Sequence, residues 1–494
     1  MGYFLVYGIA MLGCLYVCAA CWNIDRRLLS IAFGVKCIFV FIISYTSLKE
    51  YSFLNVPDED NYFHDALLFQ KLAKEYPLYY LQWWMDIEPD NADVFSRYFT
   101  QTDAFYKAPE FFYNDNRWVV KIHSVLTFFS GGHLAVHRLF SSFFGVLGLL
   151  WLFVFLQNVF LFESKRSGWV FLIASLFPSF FFFTSFVLKE SLLIFFIGIL
   201  AHILYRWIVG RRWTVFNVLG GLFMIFLSFC FRPAYLFSFV MLTSVFLLIH
   251  TLIAYQKKFV FLGSLLGIAG ISWWVFQSVW HKSIIEIIQH RQERFLDASK
   301  GGIYLLNDKK FVRVPYNWHY LDVDSIPSVP VVRIKKNVPL MYWYLTNLND
   351  TIIENNKDTM ETFRVLYSVE KAERTVFIQP LKKEQSLFYN AQSLWQALRV
   401  FFLYPNVIGS FMDMVIWFEN ILLMFFLLFL MWECIRGFGY LPLLYVCVYV
   451  WFIILIVAVT SPNTGAILRY RYFLLPMLFM TFVCTQWYKE RKRL

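Results

Sequence analysis

The chain has 494 residues, of which 59% are hydrophobic, 21% aromatic and only 16% charged, with a formal net charge of +11. A water-soluble domain carries about a quarter charged residues, so this composition excludes an ordinary soluble globular fold. The positive charge does not suit a nucleic-acid partner either, because the basic residues are scattered through short loops between apolar runs.

Apolar runs long enough to cross a bilayer recur along the whole chain. They predict eleven spans, at 3–22, 28–47, 138–160, 168–187, 190–208, 213–231, 234–254, 259–277, 413–432, 440–459 and 471–488. The first run has no basic residue before it and no small-residue cleavage site, which predicts a retained helix. With the amino terminus outside, every cytoplasmic segment is basic: Arg26 and Arg27, Lys165 and Arg166, Arg206 with Arg211 and Arg212, Lys257 and Lys258, Arg436, and the tail KERKRL. The expected fold class is an all-α polytopic membrane protein of about eleven transmembrane helices with two large extracytoplasmic segments, the second α+β. The carboxyl terminus is then cytoplasmic, and the setting is a cell (inner) membrane.

This divides the chain into 1–47 (two helices), 48–137 (first extracytoplasmic loop), 138–277 (spans three to eight), 278–412 (extracytoplasmic domain) and 413–494 (spans nine to eleven and the basic tail). Both outer segments are too long to be idle connections. All eight cysteines lie in or beside spans, so neither outer segment is stapled by a disulfide. In the first loop, FHDALLFQKLAKEY has a helical apolar stripe, preceded by Pro57 and Asp58 as start residues. RWVVKIHSVLTFFSGGHLAVHRLF reads as an interfacial helix broken at Gly131 and Gly132. In the second segment, KFVRVPYNW and VPVVRIKKNVP read as strands or extended loops, and SLFYNAQSLWQALRVFF as a helix returning to the membrane.

Two patterns carry chemistry. The first is PDEDNYFHDA, Pro57–Ala66, which puts Asp58, Glu59, Asp60, Tyr62, His64 and Asp65 beside the membrane. Asp58 could cap a helix while Glu59 and Asp60 complement its dipole. The alternative is catalytic: a carboxylate that takes a proton from an attacking hydroxyl. Asp58 and Asp60 are also the candidate ligands for a divalent cation, magnesium or manganese, beside a phosphate. The second pattern is basic charge at the outer ends of spans: Lys189 in VLKES, Arg232 in CFRPAY, and Arg469 and Arg471 in ILRYRY. Charge at a membrane edge is costly, and four such groups suit one phosphate. Snorkelling, or pairing with an acid such as Glu190, is the plain structural alternative. No glycine-rich nucleotide loop is present, which argues against nucleotide-driven pumping.

The PDED motif in the first outer loop, the surface helix before the third span, FPSFFFFTSFVLKES and GAILRYRYFLLP together resemble the GT-C class of membrane glycosyltransferases, of the bacterial surface-polysaccharide type. The resemblance implies a sugar moved from a polyprenyl-phosphate carrier to a hydroxyl acceptor, a glycan or lipid-linked molecule, on the extracytoplasmic side. It implies Asp58 as the catalytic base helped by Glu59 and Asp60, with Lys189, Arg232, Arg469 and Arg471 on the carrier phosphate and Tyr62, His64, Asp65 and Glu190 as further substrate contacts. A lipid-linked repeat-unit polymerase and a lipid-linked oligosaccharide flippase are the rival readings. For transport, the deep polar candidates are Lys36 and Glu419, with His202 and His250 nearer the inner ends.

Overall fold

The computed structural model describes residues 2–22, 24–46, 56–85, 91–99, 101–102, 115–162, 167–209, 219–223, 233–255, 385–405, 410–436, 441–461 and 464–493, a few isolated positions, and eight strands between 303 and 368. The α-helices with defined bounds are α1 (Gly2–Cys21), α2 (Arg26–Tyr45), α3 (Pro57–Glu75), α4 (Pro77–Trp84), the single turn α5 (Ala92–Val94), α6 (Asp115–Ser130), α7 (Leu134–Phe160), α8 (Ser167–Ser175), α9 (Pro178–Phe183), α10 (Lys189–Ile208), α11 (Pro233–Tyr255), α12 (Leu387–Leu403), α13 (Phe411–Ile435), α14 (Leu441–Thr460), α15 (Thr464–Tyr470) and α16 (Leu474–Arg493), with a π-helical turn at Phe95–Phe99 after α5. Six are long and apolar enough to cross a bilayer, at Gly2–Ala20, Arg26–Tyr45, Leu134–Phe160, Lys189–Ile208, Asp413–Ile435 and Leu441–Thr460. The chain is a helical membrane protein.

These six match six of the eleven expected spans. Those expected at 234–254 and 471–488 are helical as α11 and α16. Those at 213–231 and 259–277 lie largely outside the described residues. The run expected at 168–187 is not one helix. It breaks before Pro178 into α8 and α9, because proline cannot donate to the preceding turn and its ring crowds it. The chain then runs without regular structure from Thr184 to Leu188 before α10 begins.

Local chemistry explains the helix starts. The Asp25 carboxylate accepts from the backbone N–H of Arg27 (2.9 Å) and Leu28 (3.4 Å) to open α2. Ser386 accepts from Tyr389 N (3.2 Å) for α12, the expected returning helix, and Ser410 from Asp413 N (3.2 Å) for α13. Helix α6 ends where expected: Gly131 and Gly132 take φ of +63° and +74°, conformations that a side chain would strain. In α3 the expected cap is corrected. Val56 is the N-cap, without a side-chain hydrogen bond, and Pro57 occupies the first helical turn. Asp58, Glu59 and Asp60 therefore all lie inside the first turn, where their charge meets the positive helix end.

The second large segment contains strands in two antiparallel sheets. One has the order β6 (Ile353–Glu354), β5 (Met341–Tyr344), β2 (Lys310–Arg313), β1 (Ile303–Asn307), β8 (Tyr367–Ser368). The other has the order β3 (Asp322–Ile326), β4 (Val329–Ile334), β7 (Glu361–Arg364). In β1–β2 Tyr304 pairs with Val312, and in β3–β4 Asp324 pairs with Val331. The two β-branched stretches expected to be extended fall on β2 and β4.

The bundle is organised on α7, which is mostly buried. It packs against α10 by close backbone approach: a Cβ on Gly198 would run into the Gly148 carbonyl oxygen, and one on Gly148 would lie 2.5 Å from the backbone of Ile194. Small residues permit this approach, which supplies dispersion contact where lipid removes the hydrophobic drive. Phe418, Phe425, Leu428 and Trp432 of α13 are exposed and give that helix a lipid-compatible face. Gly198→Val should cost about 1–3 kcal/mol by overpacking and lower the melting temperature of the detergent-solubilised protein. An unchanged melt would show that α7 and α10 do not approach this closely.

Candidate functional site

The acidic motif and the basic span ends meet. Arg469, near the end of α15, donates Nε to Glu190 Oε1 at 2.6 Å, and its Nη1 to Asp58 Oδ2. Glu190 stands in the first turn of α10, Asp58 in the first turn of α3. One guanidinium thus joins carboxylates from two elements that lie far from it in sequence. The two acids differ in setting: the Glu190 side chain is 1% exposed and that of Asp58 is 47% exposed. Arg469 Nη2 is buried with no hydrogen-bond partner among the described residues. The Tyr472 hydroxyl donates to the Glu190 carbonyl and fixes the start of α10 from the α15–α16 side.

A second set borders the first. Tyr62 is one helical turn from Asp58 on the same face of α3, and it lies within electrostatic range of Arg469. Its hydroxyl donates to Asn116 Oδ1 at 2.7 Å, and Lys189 Nζ donates to the same oxygen at 2.9 Å. Lys189 precedes Glu190 in sequence, so the two sets share the start of α10.

Glu59 does something different. Its carboxylate is clamped by Arg138 of α7 in a two-point pair (Nε–Oε1 3.0 Å, Nη2–Oε2 2.5 Å), and Oε1 also accepts from Val187 N at 2.9 Å. Both side chains are 2% exposed. Arg138 also donates to the Ile43 carbonyl (3.3 Å) and Ser44 Oγ (3.1 Å) of α2. One buried pair therefore ties α2, α3, α7 and the irregular 184–188 segment together. Lys36 of α2 holds that segment from the other side, donating to the Phe181 carbonyl (3.0 Å), Thr184 Oγ1 (2.6 Å) and Ser185 Oγ (3.3 Å). Unwound backbone inside a membrane protein must have its polar groups satisfied by protein; Glu59 does this for the Val187 N–H, while Lys36 binds the Thr184 and Ser185 hydroxyls.

The remaining expected residues separate. Asp60 and His64 share an exposed face of α3, and Asp65 is buried with His64 Nδ1 3.5 Å away. Asp58 and Asp60 stand two apart in a helix, so their side chains diverge and do not form a chelating pair. No group of three or more His, Cys, Asp or Glu side chains among the described residues could hold a metal ion. The expected magnesium or manganese ligands Asp58 and Asp60 therefore do not chelate one ion between them. Arg471 is buried and donates to the Phe401 carbonyl of α12 instead of joining Asp58. Arg232 lies outside the described residues. Trp83 is buried and stacked on Phe69 at 3.8 Å, so Phe69 covers one ring face.

Sequence reasoning missed Arg138, Asn116 and Tyr472. Arg138 carried the same signal as the others, a cation at a span end, but was absorbed into the span. Asn116 and Tyr472 gave no signal, being common residue types with no pattern around them. Comparison with known proteins gives no match: no family model, curated protein or solved structure aligns with the chain.

Near the site, His123 of α6 is buried with its Nδ1 2.8 Å from His137 Nδ1, and His137 Nε2 is 2.7 Å from Ser130 Oγ. Burial pushes the His123 pKa down to about 3. Its folded value lies below its ordinary one near 6.5, so the neutral form stabilises the fold above that pH. That stability should fall as the pH drops from about 6.5 towards 3, by about 1.4 kcal/mol per unit. His123→Asn should flatten this part of the curve in a detergent melt series. A wild-type melt that does not change over this range would contradict the burial.

Glu59→Gln leaves the Arg138 charge buried without its counter-ion and should cost about 3–5 kcal/mol. Its melting point should fall well below that of Asp60→Asn, whose side chain is exposed. Equal melting points would contradict the clamp.

Proposed function

We propose that the chain is an integral-membrane glycosyltransferase that moves a sugar from a polyprenyl-phosphate carrier to a hydroxyl acceptor in surface-glycan assembly. The observation that carries this reading is the bridge of Arg469 between Asp58 and Glu190, with Lys189 alongside. It puts a partly exposed carboxylate and cationic donors within one small region, the pairing that transfer from a lipid phosphate needs. The resemblance of PDED and the surrounding segments to the GT-C class supports the same reading, and the basic segment ends support an extracytoplasmic site.

In this reaction the acceptor oxygen attacks the anomeric carbon and forms the new glycosidic bond. Its proton passes to the Asp58 carboxylate. The bond from the anomeric carbon to the phosphate oxygen breaks, and its electron pair leaves on the carrier phosphate. Arg469 and Lys189 stabilise that charge, each donor contributing about 3–4 kcal/mol when well aimed. Glu59 and Arg138 act by positioning: they fix the first turn of α3 against the 184–188 segment that leads into Lys189 and Glu190. Tyr62 and Asn116 orient the Lys189 ammonium.

The transport alternative is weakened because its two deepest candidates have structural partners. Lys36 binds the end of α9, and Glu419 accepts from Ser179 N at 2.8 Å and from the Ser179 hydroxyl.

The test uses the full chain in lipid nanodiscs with a panel of polyprenyl-phosphate sugars, measuring release of carrier phosphate with acceptor present. Asp58→Asn should lower turnover by about 10²–10⁴-fold, and Arg469→Gln by about 10²–10³-fold. Both variants should keep the wild-type helical circular dichroism. Full turnover in folded Asp58→Asn protein would refute the assignment of the base.

A further inference from the structure

The two carboxylates on Arg469 are unequal, and the inequality decides which one an incoming anion displaces. Glu190 is fully buried and takes Nε at 2.6 Å. Its removal would leave both a buried carboxylate and a buried guanidinium edge uncompensated. Asp58 is nearly half exposed and takes Nη1. An ion pair with one partner half exposed is weaker than a buried one and exchanges more readily for another anion. Next to Nη1 stands Nη2, a buried donor with no hydrogen-bond partner among the described residues. The guanidinium edge formed by Nη1 and Nη2 matches the two-point geometry of a phosphate.

We propose that Asp58 is a place-holder on Arg469: the donor phosphate takes Nη1 and Nη2 together, and in doing so releases the Asp58 carboxylate to the acceptor hydroxyl. This rests on the transfer reaction proposed above and adds an order to it. While it pairs with the guanidinium, the Asp58 carboxylate is the poorer proton acceptor. Donor binding removes that pairing, so the acceptor reacts fastest once the donor is seated. Glu190 keeps Nε throughout and holds the guanidinium plane fixed during the exchange. Asp58 is thus both the base and an internal competitor of the donor.

The competitor role predicts an outcome that a purely catalytic aspartate does not. Removing its charge should abolish turnover and at the same time tighten phosphate binding. The probe is farnesyl phosphate, with farnesol as the uncharged control, titrated against full-length protein in nanodiscs. Asp58→Asn and Asp58→Ala should each bind farnesyl phosphate about fivefold tighter than wild type, the loss of one partly exposed ion pair. Farnesol affinity should not change. Equal or weaker phosphate binding in both folded variants would overturn the place-holder, and would leave the transfer reaction standing if Asp58→Asn is inactive. Equal tightening for farnesol would overturn it as well, by locating the effect in the lipid chain. Wild-type protein that binds farnesyl phosphate no better than farnesol would overturn the place-holder and the lipid-phosphate reading together.

Discussion

A guanidinium held between two carboxylates is the contact on which the candidate site depends. Arg469 comes from the carboxyl-terminal hairpin, Glu190 from a central helix and Asp58 from the segment after the second helix. No local propensity brings these together. They meet because α3 lies on α6 and because α10 starts where the broken 167–188 run ends. Burying Glu190 with Arg469 costs solvation that only a close, well-oriented pair offsets. Such a pair contributes little net stability, and its placement at a helix start beside an exposed acid is what suggests chemistry.

The break in the 167–188 run is the second constraint. A continuous helix there would pair the Val187 N–H internally and leave no amide for Glu59 to bind. Pro178 ends α8, and the segment from Thr184 to Leu188 then offers the Val187 N–H to Glu59 and the Thr184 and Ser185 hydroxyls to Lys36. Gly145 makes room for it: a Cβ at that position would lie 2.6 Å from Thr184 Cβ. Small residues on α7, a cation on α2 and an anion on α3 together set where Lys189 and Glu190 begin.

Much of this was legible in the sequence. The membrane class followed from apolar runs, and the helix over 115–130 and its glycine break followed from RWVVKIHSVLTFFSGG. Asp58, Lys189, Glu190 and Arg469 were visible as charge where charge is costly. Their division of labour was not. Glu59 and Asp58 are adjacent and chemically alike, and only the helix geometry of α3 turns one towards Arg138 and the other towards Arg469. Arg469 and Arg471 are likewise two apart, so they face different neighbours. The same rule removes the chelating pair Asp58 and Asp60. The broken span was missed because hydropathy averages over Pro178.

The most direct test of the meeting of these elements is a cross-link in a cysteine-free background. Cysteines introduced as Asp58→Cys and Arg469→Cys, treated in the membrane with a short bis-thiosulfonate reagent, should yield a linked peptide pair containing both positions by mass spectrometry. The same reagent on Asp60→Cys with Arg469→Cys should give far less, because position 60 lies on the exposed face of α3. Absence of the 58–469 link, or equal linking from position 60, would contradict the account.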